Sequence, residues 1–255
     1  MRKELLYTPH LLLQRIAEKA TQHARLRRLR GTCAHWLTHD HIDSLELIEL
    51  AATEGARVFY DVGANVGSWA LLCRAFVPQS TIVAFEPLPD HCAQFDKNLR
   101  NEKNVRLFRT ALGPAEESRP LLVVSNSDAS SLLPLTPEGA NLWSIQETAR
   151  VEVPVVTLDH LRAKEGFPAP DLIKLDVQGF ELAVLQGATE TLRLASWVMA
   201  EVSFRKFYEG QVLFSALAGF LGERGFEVHA FGHSMRIARR LDQVDVLFGR
   251  VKPGT

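Results

Sequence analysis

At 255 residues, with 46% hydrophobic and 23% charged side chains, the chain has the makeup of a soluble globular protein with room for one full α/β core. Its net charge of −1 gives no electrostatic case for a nucleic-acid partner, and no apolar run is long enough to span a bilayer. Cys33, Cys73 and Cys92 have neither metal-type nor redox-type spacing, which argues against a disulfide framework and for a reducing, cytoplasmic compartment; the N-terminus also lacks the apolar core of a signal peptide.

Residues 1–50 precede the first strand and read as a helical extension to a domain at 51–255. Charge is uneven there: residues 1–30 carry eight basic side chains against two acidic ones, net +6, leaving −7 on the rest. Such a face permits a peripheral membrane contact, useful if the substrate is lipid-linked. Charge runs are usually just solvated, so packing over the domain or over a second copy in a homo-oligomer is the preferred reading. A second helix is expected in SLELIELAATEG, with Ser44 as its cap and Gly55 as its end.

The run VFYDV (58–62) is a short apolar strand, and from Trp69 onward the apolar spacing becomes helical. Between them lies GANVG (63–67). A glycine at a strand end turns the chain tightly and lets a ligand approach the backbone, and the free N–H groups of the next helix face that crevice. The second strand, TIVAFEP, ends in Glu86, an acid able to accept both hydroxyls of a ribose. A helix then starts near Pro89, and VRLFRTALG (105–113) gives the third strand and its exit turn. RPLLVVS and VEVPVVTL read as two strands, paired with each other, around the polar loop SNSDASSLLPLTPEG. A long polar loop inside an α/β domain is more often functional than idle, so Ser130 and Ser131 are candidate ligand contacts. LIKLDV is a strand ending at Asp176, with a helix after Gly179. SWVMAEVSF is another buried strand carrying Glu201, and a further helix is closed by Gly225. FEVHAFG and VDVLFGR finish the chain without a crossover helix, so an antiparallel pair is expected at the end of an otherwise parallel sheet.

A parallel sheet binds ligand beyond the carboxyl ends of its strands, and Gly63, Asn65, Gly67, Glu86 and Asp176 all fall at such ends. The turn is not the GxGxxG of a nicotinamide dehydrogenase, because Asn65 and Ser68 stand where glycines would be needed. Its GxxxG spacing suits a ligand with one nucleoside and an amino-acid tail, which describes S-adenosylmethionine. DVGANVG (61–67), AFEP (84–87), ALG (111–113), SSL (130–132), VVTLD (155–159), IKLDVQGFELAVLQGA (173–188), EVSFRKFYEG (201–210) and QVDVLF (243–248) together resemble the FkbM family of S-adenosylmethionine-dependent methyltransferases over roughly residues 57–249. Gln178 stands where many relatives have Glu.

The resemblance implies a class I methyltransferase fold: a Rossmann-like, mostly parallel seven-stranded sheet with an antiparallel last strand and helices on both faces. It also implies site roles. Asp61, Gly63, Asn65 and Gly67 should surround the methionine end of the cofactor. Glu86, with the adjoining Pro87, should take the ribose. Thr110 and Ala111 should lie by the adenine, and Asp176 should face the sulfonium. Relatives commonly methylate hydroxyls of sugars, polysaccharide precursors or secondary metabolites, so a small-molecule or glycan acceptor is expected by resemblance. A hydroxyl nucleophile needs a base, for which Asp176 ranks first and Glu201 second; Glu181, His229 and His233 follow. His233 is also a candidate substrate contact. Asp176 and Glu201 could converge on a divalent ion, but no ligand spacing supports one, and no metal is expected. The competing classes are a non-catalytic module of the same fold, which would show a broken glycine turn or a lost acid, and the dehydrogenase disfavoured above.

Overall fold

In the computed structural model, residues 9–38, 42–237 and 240–251 are described. Helix α1 (Pro9–Arg28) and α2 (Leu45–Thr53) come first. There follow β1 (Val58–Val62), α3 (Ser68–Phe76), β2 (Thr81–Phe85), α4 (Pro89–Asn98), β3 (Val105–Phe108), β4 (Ala111–Leu112) and β5 (Glu117–Val124). Then come α5 (Pro137–Trp143), β6 (Glu147–Val156), α6 (Leu158–Glu165), β7 (Leu172–Leu175), α7 (Glu181–Gln186), α8 (Thr189–Leu194) and β8 (Trp197–Ser203). The chain closes with α9 (Phe214–Gly222), β9 (Phe226–Ile237) and β10 (Arg240–Arg250).

Seven strands form the main sheet in the order β3-β2-β1-β7-β8-β10-β9. The first five are parallel, and β10 inserts antiparallel between β8 and β9. The class I methyltransferase topology expected from the sequence is therefore present. The order of strands reverses between the parallel neighbours β1 and β7, which opens the crevice where doubly wound sheets bind ligands. β1, β2 and β7 are buried along almost their whole length, as strands covered on both faces must be, and this is why they read as continuous apolar runs.

Alternation along the strands splits the core into two layers. Phe59, Leu172, Met199 and Leu247 face α2 and α3, while Tyr60, Ile173, Val198 and Val246 face the helices of the second half. Leu29, Ala34, Leu37 and Ile42 belong to the first layer, so the N-terminal segment is packed onto the sheet through its apolar side chains. Arg25 and Arg28 pair with Glu46 and Glu49 of α2, which takes two cations of the basic stretch into contacts within the chain. Among the described residues, no helix is long and apolar enough to cross a membrane.

Three details differ from the reading of the sequence. Ser44 stands at the start of α2 but makes no side-chain capping bond. ALG is not part of the third strand's exit turn alone: Ala111–Leu112 pairs with β6, and a separate three-stranded sheet β4-β6-β5 results. The Thr110 hydroxyl donates to Pro154 O at 2.9 Å, which holds this branch point. Helices α5, α6 and α8 also lie in stretches that show no helical run by apolar spacing. α5 and α6 are started by Thr136 and Thr157, whose hydroxyls accept the N–H groups of Gly139 and His160.

Candidate active site

The glycine turn begins where β1 runs out. Gly63 (φ +77°), Asn65 (φ +48°) and Gly67 (φ +85°) have left-handed backbones, which fold the chain back so that α3 can start over the sheet end. Gly67 leaves no room for a side chain, because a Cβ there would meet Leu99 and Phe95 of the α4 segment at 2.4 and 2.8 Å. Its role is to let the start of α3 pack on α4. Above the turn and the ends of β1, β2 and β7 opens a cavity of about 790 Å3, within the range of a nucleoside-sized ligand site.

At one end of the cavity lies Glu86, which is 5% exposed. Its carboxylate accepts the Asn65 N–H and the Leu88 N–H, both at 2.9 Å. A carboxylate offers about four lone-pair positions, so beside these two backbone donors and the nearby His91 a position remains for a ligand hydroxyl. His91 Nδ1 lies 3.5 Å from Glu86 Oε1, and the hydrogen bond to Glu86 holds the imidazole above its ordinary pKa. The polar segment 126–131 closes the roof. Asp128 accepts from the Asn65 side-chain amide at 2.8 Å, Ala129 O from the Tyr208 hydroxyl at 2.6 Å, and Gln178 O from the Ser131 hydroxyl at 2.8 Å.

At the other end, a network of acids and amides is built on β7, β8 and β10. Lys174 Nζ lies 3.0 Å from Gly63 O, 3.1 Å from Asp61 Oδ1 and 3.6 Å from Asp176 Oδ2. Burial alone would lower the Lys174 ammonium, but Asp61 and Asp176 outweigh it and hold the group above its ordinary value. The Gln178 amide donates to Asp176 at 2.9 Å and to Glu201 at 3.2 Å, and Gln243 donates to the same Glu201 oxygen at 3.0 Å. Burial, then the neighbouring Asp176 and Asp245, push Glu201 well above the usual carboxylate range. Two amide donors on one oxygen suit the carbonyl side of a neutral carboxyl group.

Of the residues singled out in the sequence, Gly63, Asn65, Glu86, Pro87, Thr110, Ala111, Ser130, Ser131, Asp176 and Glu201 all line this one cavity. Asp61 and Gly67 stand behind its wall, Asp61 fully buried against Lys174. The His233 side chain lies outside the described residues. His229 packs edge-on against Trp197 at 4.9 Å, away from the cavity. Glu181 accepts the Val177 and Gly179 N–H groups and so shapes the turn after β7. Sequence reasoning missed Lys174, His91, Trp143, Gln243 and Asp245 as wall residues. For Lys174 a signal existed, since a lone lysine inside the buried run LIKL requires a buried partner.

Burial pushes Glu181 up to about 7, against the backbone N–H groups that favour its charged form. Its folded pKa thus exceeds the unfolded one, so the folded state binds the extra proton between about 4.5 and 7 and stability falls as pH rises through that window. Glu181→Gln removes this penalty. Relative to wild type, the variant gains about 2–3 kcal/mol between pH 5 and pH 8 in urea unfolding. A pH-independent difference would refute the assignment.

The cavity fits S-adenosylmethionine on the chain's own features. Asn65 Oδ1, Ser68 Oγ and Ser130 Oγ belong to residues that line it, are buried, and have no hydrogen-bond partner among the described residues, so a ligand bearing amine and hydroxyl groups would satisfy them. Among the described residues, no group of His, Cys, Asp and Glu is arranged to hold a metal ion.

Sheet order, left-handed glycine turn and acid-tipped second strand define a class I, S-adenosylmethionine-dependent methyltransferase. Residues 61–228, more than half of the chain, match the family model described as the methyltransferase FkbM domain, and the chain belongs to that family. Over 170 residues it is 29% identical to the hexuronic acid methyltransferase AglP of Haloferax volcanii, a match covering 66% of this chain and 65% of that protein's length. It is 30% identical over 172 residues to the 2-O-methyltransferase NoeI of Sinorhizobium fredii, covering 64% of this chain and 70% of the relative. It also aligns with the magnesium protoporphyrin IX methyltransferase of Synechocystis, at 10% identity and a TM-score of 0.48, over 83% of this chain and 80% of the other.

Proposed function

We propose that the protein transfers a methyl group to a hydroxyl of a sugar or glycan precursor, with residues 51–255 as the catalytic domain and residues 1–50 as a helical extension over it. The observation carrying this reading is the cavity itself, which joins a ribose-type acid site at Glu86 to an acid–amide cluster at Asp176 and Glu201. The names of the two relatives, both sugar- or O-directed, support the hydroxyl acceptor. Three free cysteines fit a reducing compartment, and we assign the activity to the cytoplasm.

When bound, the cofactor supplies an electrophilic methyl on a cationic sulfur. The chain's own work is alignment and one proton transfer. Glu86, Pro87, Thr110 and Ala111 hold the nucleoside, while Gly63 and Asn65 admit the amino-acid tail to the backbone. Asp61 acts through Lys174, which fixes the Gly63 carbonyl. Asp176, 3.6 Å from the Lys174 ammonium, takes the acceptor's hydroxyl proton on its carboxylate. Glu201, whose carboxyl is pushed well above the usual carboxylate range by burial and by Asp176, borders the same acceptor. Ser130 and Ser131 border the acceptor from the roof.

Calorimetric titration with S-adenosylhomocysteine tests the cofactor half, with NADH as control. Wild type binds the former and not the latter. Glu86→Ala loses a charge-assisted ligand hydrogen bond and the anchoring of the Asn65 and Leu88 N–H groups, and binds about 100-fold more weakly. Labelled methyl transfer to a panel of glycosides then tests the acceptor half. Failure of wild type to bind S-adenosylhomocysteine would overturn the reading in favour of a non-catalytic module.

A further inference from the structure

The Trp and Phe rings that line the cavity are of two kinds. Trp69, Phe85 and Phe180 are buried in the packing around the sheet, whereas Trp143 on α5 is only half-buried. With seven residues, α5 is too short to stand alone, so its position is set from outside. Its cap residue Thr136 donates to Phe207 O twice, from the backbone N–H at 2.8 Å and from the hydroxyl at 2.9 Å. Gly139 lies so near the same segment that a Cβ there would come within 2.6 Å of Phe207 O. One turn further along the same helix face, Trp143 stacks on the Phe207 ring, with 4.3 Å between centroids and 23° between planes. Phe207 is fully buried, and its N–H donates to Gln211 Oε1 at 2.6 Å. Trp143 also packs against the small cluster of Leu122, Val124, Ala129 and Ile145. The indole is thus backed by fixed groups before any ligand arrives.

The same contacts say which part of the cavity the ring serves. Trp143 meets Tyr208 edge-on at 6.0 Å. The Tyr208 hydroxyl donates to Ala129 O in the roof and lies 3.3 Å from Gln178 Oε1, and the Gln178 amide donates to Asp176. Trp143 is therefore tied to the Asp176 side. Thr110, among the nucleoside contacts, is tied instead to β6 through Pro154 O. An indole face is apolar and carries partial negative charge, so it suits the C–H face of a ring. Resting on the methyltransferase reading, we propose that Trp143 is the platform for the acceptor's ring. A pyranoside lies with one C–H face on the indole, which leaves its edge hydroxyls free to turn toward Asp176. The platform selects cyclic sugars over open-chain polyols bearing similar hydroxyls. A polyol has no preformed face and must lose chain entropy to make one.

The test is saturation-transfer NMR on protein saturated with S-adenosylhomocysteine, with methyl β-glucoside and glucitol as probes. The glucoside is expected to bind about tenfold tighter than glucitol, with saturation concentrated on the axial protons of one ring face. Trp143→Phe keeps a flat ring and retains most of that preference. Trp143→Leu keeps apolar bulk without a ring, and its glucoside affinity falls about fivefold, toward that of glucitol. Both variants bind S-adenosylhomocysteine as wild type does. Equal binding of the two probes to wild type, or no glucoside binding, overturns the proposal. So does saturation spread evenly over both ring faces, which is read on wild type and needs no variant to fold. A preference unchanged in Trp143→Leu has the same force. Weakened S-adenosylhomocysteine binding in that variant would assign the ring to the nucleoside and also overturn the proposal. Failure of wild type to bind S-adenosylhomocysteine would instead sink the methyltransferase reading, so the two failures are separable.

Discussion

Gly63→Ala abolishes S-adenosylhomocysteine binding and lowers stability by about 3 kcal/mol. Gly63 has φ +77°, which for any other residue costs on the order of 1 kcal/mol. The larger cost is steric. A Cβ at this position would lie 1.9 Å from the Asp176 carbonyl oxygen and 3.3 Å from Val177 Cγ1. The carbonyl cannot swing aside cheaply, because the Asp176 N–H donates to Val62 O at 3.1 Å and locks β7 against β1. Relief therefore has to come from separating the two strand ends that frame the crevice, a strain of about 1–3 kcal/mol added to the backbone term. Gly210 is the control: it has φ +75°, and a Cβ there would meet nothing within 4 Å, so Gly210→Ala carries the backbone cost alone. Urea unfolding and calorimetric titration of the two variants decide the matter. Equal losses in both would mean that the close approach of β1 to β7 has no role in binding.

The same approach explains how much of the site is legible in the sequence. Gly63, Glu86 and Asp176 sit at strand tips, and a strand tip is a local property: an apolar run that stops at a turn residue. Parallel topology then gathers the tips, so a cluster of residues more than a hundred positions apart follows from one rule about sheets. Lys174, Gln243 and Asp245 lie inside or beside strands and reach the cavity only through strand order. Asp245 meets Glu201 because β10 inserts antiparallel next to β8, a register that no local pattern encodes. Ser44 shows the opposite error. It has the residue type and place of a helix cap, yet makes no cap bond and lines the cavity, because the turn carrying it is folded onto the sheet. Helices α5 and α6 are marked in the sequence by Thr136-Pro137-Glu138 and Thr157-Leu158-Asp159, start signals with a physical basis, although their apolar spacing is too short to announce a helix.

Lys174→Met is the second large effect, and it separates structural need from catalytic need. Asp61 is 0% accessible and reaches no solvent; its charged partner is the Lys174 ammonium. Its ion pair with Lys174 at 3.1 Å is what compensates its charge. Removing one partner of a buried pair costs about 3–5 kcal/mol, because the other charge stays buried and unpaired. Met fills the space of the lysine stem, so the loss reads the charge and not a cavity. The variant escapes part of the cost by protonating Asp61, so its deficit in urea unfolding shrinks at pH 5 and is full at pH 8. The double variant Lys174→Met with Asp61→Leu restores most of the stability, since replacing both partners by apolar groups is close to neutral. It does not restore methyl transfer, because the Gly63 carbonyl and the Asp176 carboxylate have both lost the ammonium that positions them. A double variant that regains both stability and activity would make Lys174 and Asp61 a structural pair only. One that regains stability alone places the pair in the machinery of the site, with a buried charge kept in the sheet for the sake of the crevice above it.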